Sequence, residues 1–228
     1  ILTKYIMRHD KFPRANHCAF SVGGIILSLT GILLFYPGLG KIMGDSTFKT
    51  VTTIHHIIAI FFIGIPIISW IIRPANFKHT FHNLFMKWDD DDKKFMRLFF
   101  PYLLNAKKVH MPKQQFVKSG QRFSDIIMYL CIFGISLSGV LLLLPNFTPI
   151  VWSSTLLQIW RAGHDLCFLG IFMMFPIHVF FGGGIFQPYH RLARVMFGDG
   201  YVSESDALYH WGHWAEEELT SGENVVEK

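Results

Sequence analysis

Charge is scarce in this 228-residue chain: Asp, Glu, Lys and Arg together make up 16% of it, against about 25% in an average soluble domain. So little charge cannot clothe a water-soluble surface, and the chain needs another solvent. Cysteine is also sparse. Cys18, Cys131 and Cys167 lie within or beside apolar runs, with no CxxC pair and no zinc spacing, so they read as small buried residues and not as a disulfide framework or metal site. No Gly-rich nucleotide-binding pattern, no nucleophile triad and no internal repeat is present, which leaves nucleotide chemistry and acyl transfer without machinery. A net charge of +5 on a soluble protein would suggest nucleic acid. Here the basic residues cluster beside apolar segments, so a membrane is the expected partner and nucleic acid is not. No cleavable signal is expected, because the first apolar run follows a basic stretch and lacks a small-residue cleavage site. The chain opens at Ile1, not Met, and further N-terminal sequence is expected before it.

Apolar residues make up 51% of the chain and Phe alone occurs 23 times; the mean hydropathy is +0.33. Four segments approach the roughly 20 apolar residues needed to cross a bilayer: about 18–36, 51–72, 123–144 and 164–186. They predict an all-α fold, a four-helix transmembrane bundle forming one domain over residues 1–228. The stretch 149-PIVWSSTLLQIW-160 is too short to span, and its Trp152 and Trp160 suit a helix lying in the headgroup layer. Lys4, Arg8, Lys11 and Arg14 precede the first span. The 73–122 connection is rich in Lys and Arg, and Arg191 and Arg194 follow the fourth span. The positive-inside rule therefore places both termini, the 73–122 loop and the tail 187–228 in the cytoplasm, and a multi-pass membrane protein is expected. The acidic run 89-DDDDKK-94 reads as a solvated loop tip. The tail from 199, with Trp211, Trp214 and Glu216–Glu218, reads as a short cytoplasmic helix or docking segment.

Twelve histidines are present, and few lie in apolar context. His164 and His178 stand 14 residues apart in one apolar segment, a rise of about 21 Å and about 3.9 helical turns. They would point the same way near opposite faces of a hydrocarbon core about 30 Å thick. On this topology the apolar histidines pair by depth. His55 or His56 meets His164 near the outer face, and His17 meets His178 near the inner face. Two neutral imidazoles at equal height on facing helices are what a b-type haem needs for axial ligation, and the pattern offers this twice. Ala59, one turn after His55, leaves room for a ring, whereas Ile60 crowds His56, which favours His55. Gly23, Gly24, Gly31, Ala59, Gly64, Gly134, Ser136, Ser138, Gly139, Gly163 and Gly170 suit either a porphyrin plate or close helix contact. Pro176 is expected to bend the fourth helix just before His178. His79, His82, His110, His190, His210 and His213 sit in polar segments and are expected to be solvated or near a partner or proton route.

The stretches 14-RANH-17, 54-IHHIIAIF-61 and 119-SGQRFSD-125, the His164/His178 spacing and the tail 200-GYVSESDALYHWGHWAEEEL-219 carry a resemblance that covers nearly the whole chain. It resembles the cytochrome b (gamma) subunit of membrane-bound formate dehydrogenases and, more distantly, the cytochrome b subunits of nickel–iron hydrogenases and thiosulfate reductases. The resemblance implies two haem b groups, the outer on His55 and His164 and the inner on His17 and His178. It implies an electron-transfer subunit of an oxidoreductase complex, with formate oxidised elsewhere. Its partners would be an iron–sulfur (beta) subunit docked outside and a molybdenum or tungsten pterin catalytic (alpha) subunit; a higher oligomer of the complex is compatible with it. Menaquinone or ubiquinone would be reduced near the cytoplasmic side, beside His178 and the segment Lys118, Ser119, Gly120 and Gln121. Lys118 stands where the family has Asn, and offers a proton or a hydrogen bond in its place.

Overall fold

A computed structural model describes residues 3–185, 189–190 and 192–227; Ile1, the expected end of the fourth span at Phe186 and the flanking Arg191 lie outside these residues. Helix accounts for 75% of the described residues. Among them, four helices are long and apolar enough to cross a membrane: α1 (Lys11–Phe35), α3 (Asp45–Ile72), α6 (Ser119–Leu143, continued by a 3-10 turn, Leu144–Asn146) and α7 (Ser154–Gly182). The short α2 (Pro37–Met43) lies between α1 and α3. The chain divides into two compact units. Unit 1 comprises residues 1–15, 74–126 and 176–228, and unit 2 comprises 16–73 and 127–175.

The helices outrun the apolar stretches that announce them, because backbone hydrogen bonding continues past the hydrocarbon boundary until a breaker or cap stops it. The Asp10 carboxylate accepts from Phe12 N–H (2.9 Å) and starts α1 seven residues before the apolar run. The stretch 149–160 is not a separate interfacial helix. Ser153 caps the chain there, its hydroxyl accepting from Leu156 N–H (3.3 Å) and its carbonyl from Leu157 N–H (2.9 Å). Gly163 costs an established helix only about 1 kcal/mol, so 154–160 forms the first turns of α7, and His164 lies well inside that helix instead of opening it. Trp152 Nε1–H donates to Leu141 O (2.7 Å), tying the connection to the end of α6.

Unit 2 pairs its helices along two seams. On α1, Asn16, Gly23 and Thr30 recur every seven residues; on α3, His55, Phe62 and Ser69 do the same. Asn16 Nδ2–H donates to Ser69 Oγ (2.7 Å), Gly23 faces Phe62 and Thr30 meets His55, so the two helices run antiparallel in a heptad register. Between α6 and α7 the contact is reciprocal: Cys167 Sγ fills the notch at Gly134, and Cys131 Sγ the notch at Gly170. Many of the large apolar side chains point outward. Val22, Leu29, Phe61, Trp70, Phe133 and Met173 are all exposed, as lipid-facing residues must be when the solvent is as apolar as they are.

Unit 1 has a conventional core. β1 (Lys4–Met7) lies between β2 (Tyr201–Ser203) and β3 (Val225–Glu227) in an antiparallel sheet of order β2-β1-β3. The helices α9 (Glu204–His210) and α10 (Gly212–Ser221) complete the tail. Ile6, Val202, Ala207, Trp211, Trp214 and Ala215 are buried together with Tyr102, Tyr189, Leu192 and Val195. The tail is therefore not a lone docking helix. It folds back to sandwich the N-terminal strand, in a pairing between distant segments that local patterning cannot announce. Arg8 donates to the Phe116 carbonyl and lies 3.7 Å from the Trp211 ring centre; burial lowers its pKa to about 9, so it stays charged at neutral pH.

The 73–122 connection folds as α4 (Pro74–Phe85) and α5 (Asp90–Leu104), with α8 (Ala193–Phe197) closing the unit further along the chain. The acidic run opens α5 and is not a loop tip, though Asp89, Asp90, Lys93 and Lys94 are exposed as expected. Asp89 caps α5 and forms a capping box with Asp92, each side chain accepting from the other's backbone N–H (2.7 and 3.0 Å). Asp92 itself is buried and paired with the fully buried Arg122. Burial pushes the Asp92 carboxyl up, but hydrogen bonds from Arg122, Ser119 and the Asp89 amide outweigh it and hold it below the ordinary value. Its contribution to stability is thus complete above about pH 3.9 and is lost as pH falls through the lower folded value. Asp92→Ala strands a buried guanidinium, which should cost about 3–5 kcal/mol, seen as a drop in thermal midpoint. The double substitution Asp92→Leu with Arg122→Met should recover most of that loss.

Candidate functional site

His55 on α3 and His164 on α7 converge inside unit 2, with ring centres 6.4 Å apart and planes 67° from parallel. Their hydrogen bonds fix which nitrogen is which. Thr30 Oγ1–H is committed to its own helix, donating to Ile26 O (2.8 Å) with Leu27 O as the alternative (3.2 Å). Its oxygen stands 2.8 Å from His55 Nδ1 and accepts from that nitrogen when the threonine proton is on Ile26 O. On α6 the Ser138 hydroxyl is similarly committed to Gly134 O (2.7 Å) and stands 3.2 Å from His164 Nδ1. Ile135 O, which can only accept, is 3.1 Å from the same nitrogen. A neutral imidazole that donates from Nδ1 has its lone pair on Nε2, and the Ile135 carbonyl fixes Nδ1 as the donor in His164.

This arrangement fits a haem. Two metal–imidazole bonds of about 2 Å, with the distance from each nitrogen to its ring centre, span roughly 6 Å. A ligating His also typically donates its other N–H to a neighbouring acceptor. His56 lies edge-on beside His55, ring centres 6.4 Å apart, and one residue turns a helix by about 100°. It is His55 that meets His164. A Cβ at Gly31 would stand 3.6 Å from His55 Cε1, and one at Gly139 3.3 Å from His164 Cε1. These two glycines clear space for the rings themselves, while Gly134 and Gly170 accommodate cysteines and Gly23 and Gly24 accommodate Phe62. At Gly64 and Gly163 a Cβ would meet nothing within 4 Å.

Over residues 8–198 the sequence matches the prokaryotic cytochrome b561 family. The chain belongs to that family. It is thus a multi-pass prokaryotic membrane cytochrome b that binds haem b and serves electron transfer. No curated protein matches it. The family match takes in all four spans and stops before β2, so the strands and helices of the tail lie beyond it.

The other sequence-predicted residues of this cytochrome fall as follows. His17 on α1 belongs to unit 2 and His178 on α7 to unit 1; both are partly buried. The segment 118–121 lies in unit 1. Lys118 is buried with Nζ 3.0 Å from His210 Nδ1 and 4.2 Å from the Tyr189 ring centre. Burial, aided by Arg8, pushes the Lys118 amine well below the usual lysine range. Ser119 is fully buried, its hydroxyl 2.7 Å from both Asp92 Oδ1 and Gln114 Oε1, and its N–H donates to Gln114 (2.9 Å). Gly120 faces Phe95, and Gln121 is exposed, its amide donating to Asp125 (3.2 Å). His210 is buried, contrary to expectation, because the tail folds inward around it. His213 is half-buried against Asp91 (2.9 Å), and His79, His82, His110 and His190 are exposed.

Thr30 escaped the sequence reading, and Ser138 registered only as a small residue. The available signal was the seven-residue step from Asn16 through Gly23, which puts Thr30 on the face that meets α3. The contacts predict that His55→Ala lowers the haem content of the purified protein, whereas His56→Ala keeps it at the wild-type level. Pyridine haemochrome counts on the two variants check this.

Proposed function

We propose that the chain is the di-haem cytochrome b subunit of a membrane-bound formate dehydrogenase. It would carry electrons from an iron–sulfur subunit on the outer side to menaquinone or ubiquinone on the cytoplasmic side. The observation that carries the reading is the His55–His164 pair, with both Nδ1 atoms bonded and both Nε2 lone pairs available. His55 and His164 would hold the outer haem, and His17 and His178 the inner one; haem supplies one-electron iron chemistry at each. His178 and the segment 118–121 would form the quinone site. There the buried Lys118 amine, in contact with His210, would give a proton or a hydrogen bond to a reduced oxygen.

The orientation has an energetic consequence. Moving an electron inward against an inside-negative potential costs about 2.3 kcal/mol per 100 mV for a full crossing. The outer haem is therefore expected to have the lower potential unless quinone reduction supplies the pull. Protons taken from the cytoplasm by quinone, and released outside by formate oxidation, separate charge with no proton channel.

A second reading, a cytochrome b subunit of a nickel–iron hydrogenase or sulfur-compound reductase, is favoured by the family match, which is to hydrogenase-type cytochromes. Purifying the intact complex, measuring metals and pterin and assaying formate oxidation separates these readings. Molybdenum or tungsten with pterin, together with formate oxidation, supports formate dehydrogenase; nickel without pterin overturns it. Within the complex, His178→Ala should lose the inner haem and quinone reduction, and His164→Ala the outer haem, read from reduced spectra and quinol formation. Retention of both haems in either variant refutes the ligand assignment.

A further inference from the structure

We infer that Thr30 and Ser138 are positioning residues that hold His55 and His164 in the Nδ1–H tautomer and set the potential of the haem they share, with Thr30 the dominant control. The inference rests on the reading of His55 and His164 as ligands, and deepens it.

The two anchors are built alike. Each hydroxyl sits on the helix facing its histidine and spends its own proton on a backbone carbonyl one turn back, Ile26 for Thr30 and Gly134 for Ser138. Each is buried, with relative exposures of 9% and 5%. With its proton on that carbonyl, the hydroxyl accepts from the imidazole. A neutral imidazole that donates from Nδ1 offers its lone pair at Nε2, and this bond also makes Nε2 a stronger donor. Stronger donation favours ferric over ferrous iron, which lowers the potential; second-shell hydrogen bonding is one of the protein's levers on haem potentials.

The anchors are unequal in strength. Thr30 stands 2.8 Å from His55 Nδ1, whereas His164 Nδ1 shares its proton between Ser138 at 3.2 Å and Ile135 O at 3.1 Å. Removing Ser138 leaves the Ile135 carbonyl in place. Removing the Thr30 hydroxyl takes away the short contact. Valine at 30 matches the shape of threonine and deletes only that oxygen, so it tests the hydrogen bond and not the packing.

The experiment is a redox titration of the haem absorbance, with low-spin electron paramagnetic resonance, on purified holo-complexes carrying Thr30→Val, Thr30→Ser or Ser138→Ala. Thr30→Val should raise one of the two midpoints and leave the other. The reduced fraction at the wild-type midpoint should rise several-fold, each tenfold change in the ratio of reduced to oxidised haem being about 59 mV. Ser138→Ala should give a smaller rise in the same midpoint, and Thr30→Ser, which keeps the hydroxyl, should restore the wild-type value. Haem loss in Thr30→Val with retention in Thr30→Ser also supports the inference, since it shows the tautomer being held. Unchanged midpoints and spectra in Thr30→Val, or identical behaviour of the Val and Ser variants, overturn it. Full haem content in His55→Ala overturns the ligand reading instead, so the two failures are distinguishable.

Discussion

Hydrocarbon contains no water to satisfy a stray polar atom, so every donor and acceptor taken into it must find a partner in the protein or its ligand. An imidazole brings two such atoms. In this cytochrome one nitrogen of each paired histidine is satisfied from an adjoining helix, by Thr30 on α1 for His55 and by Ile135 and Ser138 on α6 for His164. That requirement selects the small polar residues at 30 and 138, the glycines at 31 and 139 that make room for the rings, and the register in which the helices meet.

The two units answer the same demand by different physics. Unit 1 excludes water from a core of Ile6, Val202, Trp211, Trp214 and their neighbours, and the hydrophobic effect holds it. Its buried charges are compensated locally, Asp92 by Arg122 and Ser119, and Arg8 by the Phe116 carbonyl and the aromatic faces around it. Unit 2 has no such core. Its large apolar side chains face outward, where lipid is as good a solvent as any protein interior, and burying them would gain little. Its helices associate through close approach at small residues and through a few hydrogen bonds, which is why the Gly–Cys notches and the Asn16–Ser69 bond carry more of the architecture there than any cluster of leucines.

The residues made the four spans plain, because length and hydropathy are local properties and a bilayer imposes them. His55 and His164 were legible as a pair for a related reason: an imidazole in apolar sequence is expensive enough to be informative. What the sequence concealed depends on contacts between distant segments or on caps. The start of α7 turns on the Ser153 cap, not on hydropathy. The burial of Asp92 turns on Arg122, thirty residues away, so 89-DDDDKK-94 looked like solvated charge. His210 looked solvated because nothing local reveals that the tail returns to pair with β1. Thr30 was silent because threonine inside an apolar helix usually does no more than bond back to its own carbonyls. Here it does so and accepts from His55 as well.

The register ties these features together. Thr30 reaches His55 only in the alignment that also brings Gly23 to Phe62 and Asn16 to Ser69. A slip of one residue along either helix shifts the contact by about 1.5 Å and turns it by about 100°, which would break the Asn16–Ser69 bond and separate the hydroxyl from the imidazole at once. The α6–α7 seam behaves in the same way, since Cys131 and Cys167 fit only opposite Gly170 and Gly134, and that fit sets Ile135 and Ser138 against His164. Helix packing and imidazole orientation are therefore one constraint in this bundle, and the orientation of each imidazole depends on residues up to about four turns away from it.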